Sequence, residues 1–254
     1  MLETLDLTIR FGGHVAVNAV SCAFAPGTLT AIVGPNGAGK TTYFNLISGQ
    51  LKASAGKVSL DGRPLDGLSP SARTRAGLGR AFQLTNLFPH LSVLENVRLA
   101  VQATRDGGHR RGLNLWSIWS DHHALTARAD AILAQVALKS REHDVVASLP
   151  HGDQRKLEVA LLIALEPKVF MFDEPTAGMN AAEAPVILDL IRQLKKDKTK
   201  TILLVEHKMD VVRELADRII VLHNGTLVAD GEPAQVIASP VVQEAYLGIA
   251  KEAA

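Results

Sequence analysis

Residues 2–10 alternate Leu2, Thr4, Leu5, Leu7 and Ile9 with polar neighbours, which reads as a half-buried strand. Phe11-Gly12-Gly13 is a turn. Residues 15–24 alternate again, through Val15, Val17, Val20, Cys22 and Phe24, and stop at Pro26-Gly27. The chain therefore opens as strand, turn, strand. A short apolar run, residues 29–33, leads straight into a glycine-rich loop. Residues 40–49 then carry helical spacing in Tyr43, Phe44, Leu46 and Ile47 and end at Gly49. Residues 58–60, followed by Asp61-Gly62, read as a further strand and turn.

Residues 85–160 differ in character. Ser92 and Glu95 form the two halves of a capping box that opens a helix. A second helix is expected over residues 124–138 (Leu125, Ala129, Ile132, Leu133, Val136) and a third from about Asp153 to Leu165. Between the first two lies a polar insert, residues 104–123, rich in Gly, Arg and His. The region reads as a helical lobe inserted into an α/β core. Beyond it, strands at residues 169–172 and 201–205 alternate with helices at 184–194 and 209–216. A hairpin, residues 218–222 and 226–230, turns about Asn224-Gly225, a strong type I′ signal. Strands alternating with helices imply a mostly parallel sheet.

Composition narrows the class. Among 254 residues, 47% are apolar and 21% charged, as in an ordinary globular protein. Lys and Arg number 27 against 26 Asp and Glu, so no global basic face for nucleic acid is expected. The single cysteine, Cys22, excludes an internal disulfide and reads as a small core residue. The most apolar stretch, residues 159–165, is bounded by Glu158 and Glu166, far short of the ~18 residues of a membrane span. The first residues, with Glu3 and Asp6, do not read as a signal peptide. The expectation is a cytoplasmic chain that meets a membrane only through a partner.

The chemistry is concentrated in three places. Gly34-Pro35-Asn36-Gly37-Ala38-Gly39-Lys40-Thr41 matches G-x-x-x-x-G-K-[ST], with an apolar strand before it and an amphipathic helix after it. Its glycines let backbone N–H groups converge on phosphate oxygens, and the helix adds its positive end. Lys40 then sits between the β- and γ-phosphates, and the Thr41 hydroxyl ligates Mg²⁺. The bland alternative is a glycine-rich turn without a ligand. Residues 169–172 end in Asp173-Glu174, at the strand end where α/β sheets bind ligands. Asp173 is placed to hold Mg²⁺ and Glu174 to activate water; the alternative is a pair of solvated acids. A third apolar strand ends in Glu206-His207, with His207 facing the γ-phosphate or the water, against a merely structural histidine. His109, His122 and His123 lack metal-ligand spacing with cysteine, so zinc is not expected.

These residues resemble the ATPase subunits of ABC transporters along nearly the whole chain. The resemblance implies an α/β fold: a P-loop NTPase (RecA-like) core with an N-terminal antiparallel β subdomain and an inserted α-helical subdomain. Residues 1–84 and 161–240 would form the core with the antiparallel subdomain, 85–160 the helical subdomain, and 241–254 a tail. By the same resemblance Phe11 stacks on adenine, and Pro35, Asn36, Ala38 and Thr42 complete the ATP contacts of the phosphate loop. Gln83, in Arg80-Ala81-Phe82-Gln83, touches Mg²⁺ and the water and joins Glu174 and His207 as a catalytic residue. Ala177-Gly178-Met179-Asn180 resembles a dimer-contacting loop.

The family's signature stretch usually reads L-S-G-G-Q and caps the γ-phosphate held by the other subunit. Here it is Leu149-Pro150-His151-Gly152-Asp153-Gln154-Arg155. Pro150 removes the hydroxyl, His151 replaces a glycine and Asp153 stands at the glutamine position. Gly152 keeps its N–H at a helix start, where a dipole contact contributes about 0.3–1 kcal/mol. Asp153 beside a γ-phosphate is unfavourable, and the expectation is that it turns away to cap its own helix. The departure suggests a heterodimer with unequal sites.

Gly79 to Gln83, Leu87-Phe88, Leu91 to Asn96, Leu157 to Ala160 and Ala245 to Gly248 resemble the branch that imports branched-chain and other hydrophobic amino acids. The insert fits the longer of that branch's two ATPases. Trp116 and Trp119, on one helix face, pack within the helical lobe or meet the permease. Implied partners are a second ATPase subunit or a second copy of this chain, two transmembrane permease subunits and, indirectly, a periplasmic solute-binding protein, with no nucleic acid. The implied location is the cytoplasmic face of a bacterial inner membrane. Urea or amide import, lipopolysaccharide export and a non-transport ABC ATPase remain as alternatives.

Overall fold

In a computed structural model of the chain, residues 1–81, 87–105, 123–179, 183–240 and 242–243 are described below. The chain divides into two compact units. One comprises Met1–Arg80, Lys168–Glu174 and Lys195–Ala254; the other comprises Ala81–Pro167 and Pro175–Leu194.

The first unit holds two sheets. Strands β1 (Leu2–Phe11), β2 (His14–Phe24), β4 (Ala55–Leu60) and β5 (Arg63–Pro64) form an antiparallel sheet in the order β2-β1-β4-β5. The alternation of the opening strands buries Leu2, Leu7, Ile9, Val17, Val20 and Phe24. Leu5 departs from that pattern and is 58% exposed, while Thr4 is buried. Leu2 to Leu5 pair with β4 in regular register, so Leu5 faces away from Leu2 and Thr4; the register shifts only after Leu5, where Asp6 takes φ 47°, and this bulge brings Leu7 and Ile9 to the buried face.

Strands β3 (Leu29–Val33), β6 (Leu78–Ala81), β7 (Val169–Asp173), β8 (Thr201–Val205), β9 (Arg218–His223) and β10 (Thr226–Gly231) form the second sheet, ordered β10-β9-β3-β8-β7-β6. The pairs β3/β8, β3/β9 and β7/β8 are parallel, and β9/β10 is an antiparallel hairpin. Every residue of β3, β7 and β8 is buried, which is why these strands read as continuous apolar runs instead of alternating. Asn224 (φ 48°) and Gly225 (φ 76°) supply the two left-handed residues of the hairpin turn.

Helix α1 (Lys40–Ser48) buries Tyr43, Phe44, Leu46 and Ile47 in a core shared with Leu2, Val17 and Phe24 of the antiparallel sheet and Ile32, Met171, Leu203 and Ile220 of the parallel one. The Tyr43 hydroxyl, fully buried, hydrogen-bonds Thr4 Oγ1 at 2.7 Å. Helix α2 (Pro70–Arg75) brings Arg73 Nη1 to the carbonyls of Leu46 and Ile47, at 2.9 and 2.7 Å, and so satisfies the C-terminal end of α1. On the opposite sheet face, Ala31, Val33, Ile219 and Val221 pack against Val212 and Val236.

The second unit is helical, with α3 (Val93–Arg105), α4 (His123–Gln135), α5 (His151–Ala164) and α6 (Ala184–Lys195). The capping box forms: Ser92 Oγ accepts from Glu95 N at 3.2 Å, and Glu95 Oε2 accepts from Ser92 N at 2.8 Å. Asn96, 1% exposed, fixes the preceding loop by donating to the Phe88 and Ser92 carbonyls. Helix α5 starts two residues earlier than the sequence suggests, because Pro150 at its N-cap already supplies a compatible φ of −57°. Helices α7 (Met209–Leu215) and α8 (Pro233–Ala238) belong to the first unit, and α8, like β5, β6 and α2, is too short for sequence periodicity to register.

Candidate nucleotide site

Parallel register brings the three chemical stretches to the carboxyl ends of adjacent strands. Val205 pairs with both Ile32 and Asp173, so the ends of β3, β7 and β8 lie side by side. The chain then leaves β3 into the Gly34–Lys40 loop, β7 into Glu174, and β8 into Glu206-His207.

The loop is possible only because of its glycines. Gly34 takes φ 152°, and a Cβ there would lie 2.1 Å from the Leu222 carbonyl oxygen; Gly39 takes φ 96°, and its Cβ would lie 2.5 Å from the Ala16 oxygen. Gly37 (φ 80°) meets nothing within 4 Å, and with Asn36 it is exposed, whereas Ala38 is buried and Pro35 half-buried. Gly39 caps α1 and has no side chain to offer, so the first-turn amides of α1 have no side-chain cap and there is no acidic residue in that turn. Such a helix end attracts an anion. Lys40 is 6% exposed and donates to the carbonyls of Gly34 (2.6 Å) and Pro35 (2.9 Å). Burial holds its ammonium below the ordinary lysine range, and the carboxylates of Glu174 and Asp173 oppose that. Thr41 and Thr42 follow in the first turn, both half-buried.

Asp173 is 4% exposed. Its Oδ2 accepts from Arg80 Nη2 at 2.8 Å, while its Oδ1 is buried without a partner among the described residues. Burial pushes this carboxyl up, and Arg80 pulls it back. A buried carboxylate oxygen left unsatisfied fits a divalent cation. Among the described residues no three acidic, His or Cys side chains cluster to hold a metal by themselves.

Glu174 has φ 49°, and its N–H donates to the Val205 carbonyl at 2.9 Å. This turns the side chain toward His207, whose Nε2 lies 2.6 Å from Glu174 Oε1. Glu206, 3% exposed, carries no motif that marks it in the sequence. Its Oε2 accepts from the His207 amide at 2.7 Å and so shapes the turn that presents the histidine. Arg80 likewise carries no motif signal of its own, although it lies within the Gly79–Gln83 stretch. Phe11 stands 50% exposed at the end of β1, opposite His14 at the head of β2, the strand whose Ala16 crowds Gly39.

In the helical unit, Gly152 is the second residue of α5, and a Cβ on it would lie 2.3 Å from Glu183 Oε2. Asp153 does not cap its helix, contrary to the expectation from sequence. Its Oδ1 accepts from Lys156 Nζ at 2.8 Å and its Oδ2 from Arg141 Nε at 3.0 Å. Two cations one turn and one loop away offer a buried carboxylate more than backbone amides do. Gln83, Asn180, Trp116, Trp119, the arginines and histidines of the 106–122 insert, and residues 245–248 lie outside the described residues.

The ABC transporter family model matches residues 17–177, more than half of the chain. The chain is 37% identical over 249 residues to the high-affinity branched-chain amino acid transport ATP-binding protein LivG of Escherichia coli strain K12, covering 98% of each. Among solved structures, a nucleotide-free ATP-binding cassette from an ABC transporter superposes with TM-score 0.80 at 28% identity, over 97% of this chain and 98% of that one. A dimeric cassette in a post-hydrolysis state bound to ADP and Pi gives TM-score 0.77 at 25% identity, over 92% and 99%.

Proposed function

This chain belongs to the ABC transporter family, an ATPase cassette by fold and sequence, and from that premise we propose that it hydrolyses ATP to drive import of branched-chain or other hydrophobic amino acids. The observation that carries the reading is the convergence of Lys40, Asp173, Glu174 and His207 at the ends of adjacent parallel strands. The amides of residues 34–41 and the α1 N-terminus bind the phosphates. Lys40 exchanges its loop carbonyls for β- and γ-phosphate oxygens, and Phe11 stacks on adenine. Thr41, Asp173 and Gln83 would hold Mg²⁺, which would supply neutralisation of the charge that develops on the phosphates. Glu174 takes the proton of the attacking water, a role worth about 10²- to 10⁴-fold. His207 orients Glu174 and contacts the γ-phosphate, and Gln83 is given its catalytic role by the family resemblance alone.

Two cassettes close face to face, as the dimeric ADP- and Pi-bound relative supports. Gly152, at the α5 N-terminus, contributes its amide to the nucleotide of the partner, which is a second ATPase subunit of the same system or a second copy of this chain. Among the described residues no helix is long and apolar enough to cross a membrane. On the proposed reading the cassette works peripherally, on the cytoplasmic face of the bacterial inner membrane, through two permease subunits supplied by a periplasmic binding protein. The exposed Phe88 (54%) and Val145 (45%) of the helical unit suit an apolar permease contact. Affinity purification of tagged protein from detergent-solubilised native membranes tests this. The expected result is two hydrophobic permeases, a second ATPase and a leucine-type binding protein. Recovery of ribosomes or DNA without membrane proteins would overturn the transport reading and leave the ATPase intact.

A further inference from the structure

Arg80 has no part in the chemistry above, yet it is the side chain that holds Asp173. Both are almost fully removed from solvent, their side chains 5% and 0% exposed. Nη2 donates to Asp173 Oδ2, while Nη1 donates to Asn45 Oδ1 at 2.6 Å and to Ser48 Oγ at 3.0 Å. The guanidinium carbon lies 5.6 Å from the ring centroid of Phe44. Asn45, Ser48 and Phe44 all belong to α1, the helix that begins with Lys40. The planar fork thus ties the strand that ends in Asp173 to the helix that follows the phosphate loop, a task the single ammonium of lysine cannot reproduce. The carboxylate is divided by this contact: Oδ2 is fixed to the guanidinium, and Oδ1 is left buried and without a partner among the described residues.

We propose that Arg80 is a positioning residue for the metal-holding carboxylate, fixing Asp173 Oδ2 to α1 so that Oδ1 alone is presented to the Mg²⁺ of the bound nucleotide. The proposal rests on the assignment of Asp173 to that ion. Groups that orient a metal ligand typically contribute 10- to 100-fold in metal affinity, and Arg80 is the group in that position here.

The test uses the full chain, adenylyl imidodiphosphate as a nucleotide that is not cleaved, and Mn²⁺ titrated by electron paramagnetic resonance in place of Mg²⁺. A fluorescent ATP analogue in EDTA reports nucleotide affinity without metal. Arg80→Met is expected to weaken Mn²⁺ binding in the ternary complex by about 10- to 100-fold and to leave the metal-free nucleotide affinity unchanged. Arg80→Lys, which keeps the charge and loses the fork, is expected to fall between. If Arg80→Met keeps wild-type Mn²⁺ affinity while Asp173→Asn loses it, Arg80 is a structural clamp and the proposal fails with the Asp173 assignment intact. If Asp173→Asn also keeps full affinity, the assignment itself fails and the proposal goes with it. Equal loss of metal-free nucleotide binding in Arg80→Met means general damage to the loop, which equally overturns the proposal. Should Arg80→Met not fold, Asn45→Ala loosens the guanidinium without removing it. A smaller loss of Mn²⁺ affinity is then expected, and no loss would count against the proposal.

Discussion

Glu174 carries its backbone at φ 49°, a region that costs a non-glycine residue of order 1–3 kcal/mol. The Val205 carbonyl holds it there, and the return is a carboxylate 2.6 Å from His207 Nε2. Glu174→Gln preserves the length and the backbone strain while removing the proposed base. Phosphate release should fall about 10²- to 10⁴-fold, with binding of a fluorescent ATP analogue retained. Turnover near wild type would move the base to another residue. Motif spacing identifies Gly34 to Thr41, Asp173, Glu174 and His207 in the bare sequence because each follows an apolar run that marks a strand end. Arg80 and Glu206 are invisible by the same route. In sequence they are two of many charged residues, and what sets Arg80 apart is a partner 93 positions away. Asp153 shows the converse: an acid three residues into a helix suggests a cap, but Lys156 and Arg141 are stronger partners for a buried carboxylate.

Long elements are legible where local pattern and tertiary burial agree. The continuous runs of β3, β7 and β8 are buried on both faces, and the alternation of β1 and β2 marks a sheet with one buried face. Short elements escape, since β5, β6, α2 and α8 span two to six residues each. One of them has an outsized structural part. Helix α2 exists in effect to deliver Arg73 to the last carbonyls of α1, across Gly49, whose missing Cβ would otherwise sit 2.7 Å from Arg73 Nε. Hydrogen bonds from a charged donor contribute about 1.5–3 kcal/mol. Arg73→Met is therefore expected to lower stability by about 2 kcal/mol, read as a lower urea midpoint at unchanged slope. An unchanged midpoint would mean that water caps α1 equally well.

The chain passes between its two units four times, and two of the passages come directly after site residues, Arg80 and Glu174. Of the residues assigned to nucleotide in the proposed function, Phe11, residues 34–42, Asp173, Glu174 and His207 belong to the first unit and Gly152 to the second. Nucleotide should accordingly stabilise the chain by mass action, about 2.7 kcal/mol at a hundredfold excess over Kd. The check is a thermal melt with and without Mg²⁺ and ATP, in which Tm rises for wild type and stays fixed for Lys40→Ala. A rise in both would place the nucleotide elsewhere. The phosphate loop itself is wedged, with Gly34 against the Leu222 oxygen, Gly39 and Gly225 against the Ala16 oxygen, and the Gly225 amide donating to the Ala38 carbonyl at 3.1 Å. Three backbone segments far apart in the chain hold one another without a side chain between them. A loop so held has little conformational freedom left to surrender, so the entropy that usually taxes anion capture by a flexible loop is spent during folding, before any phosphate arrives.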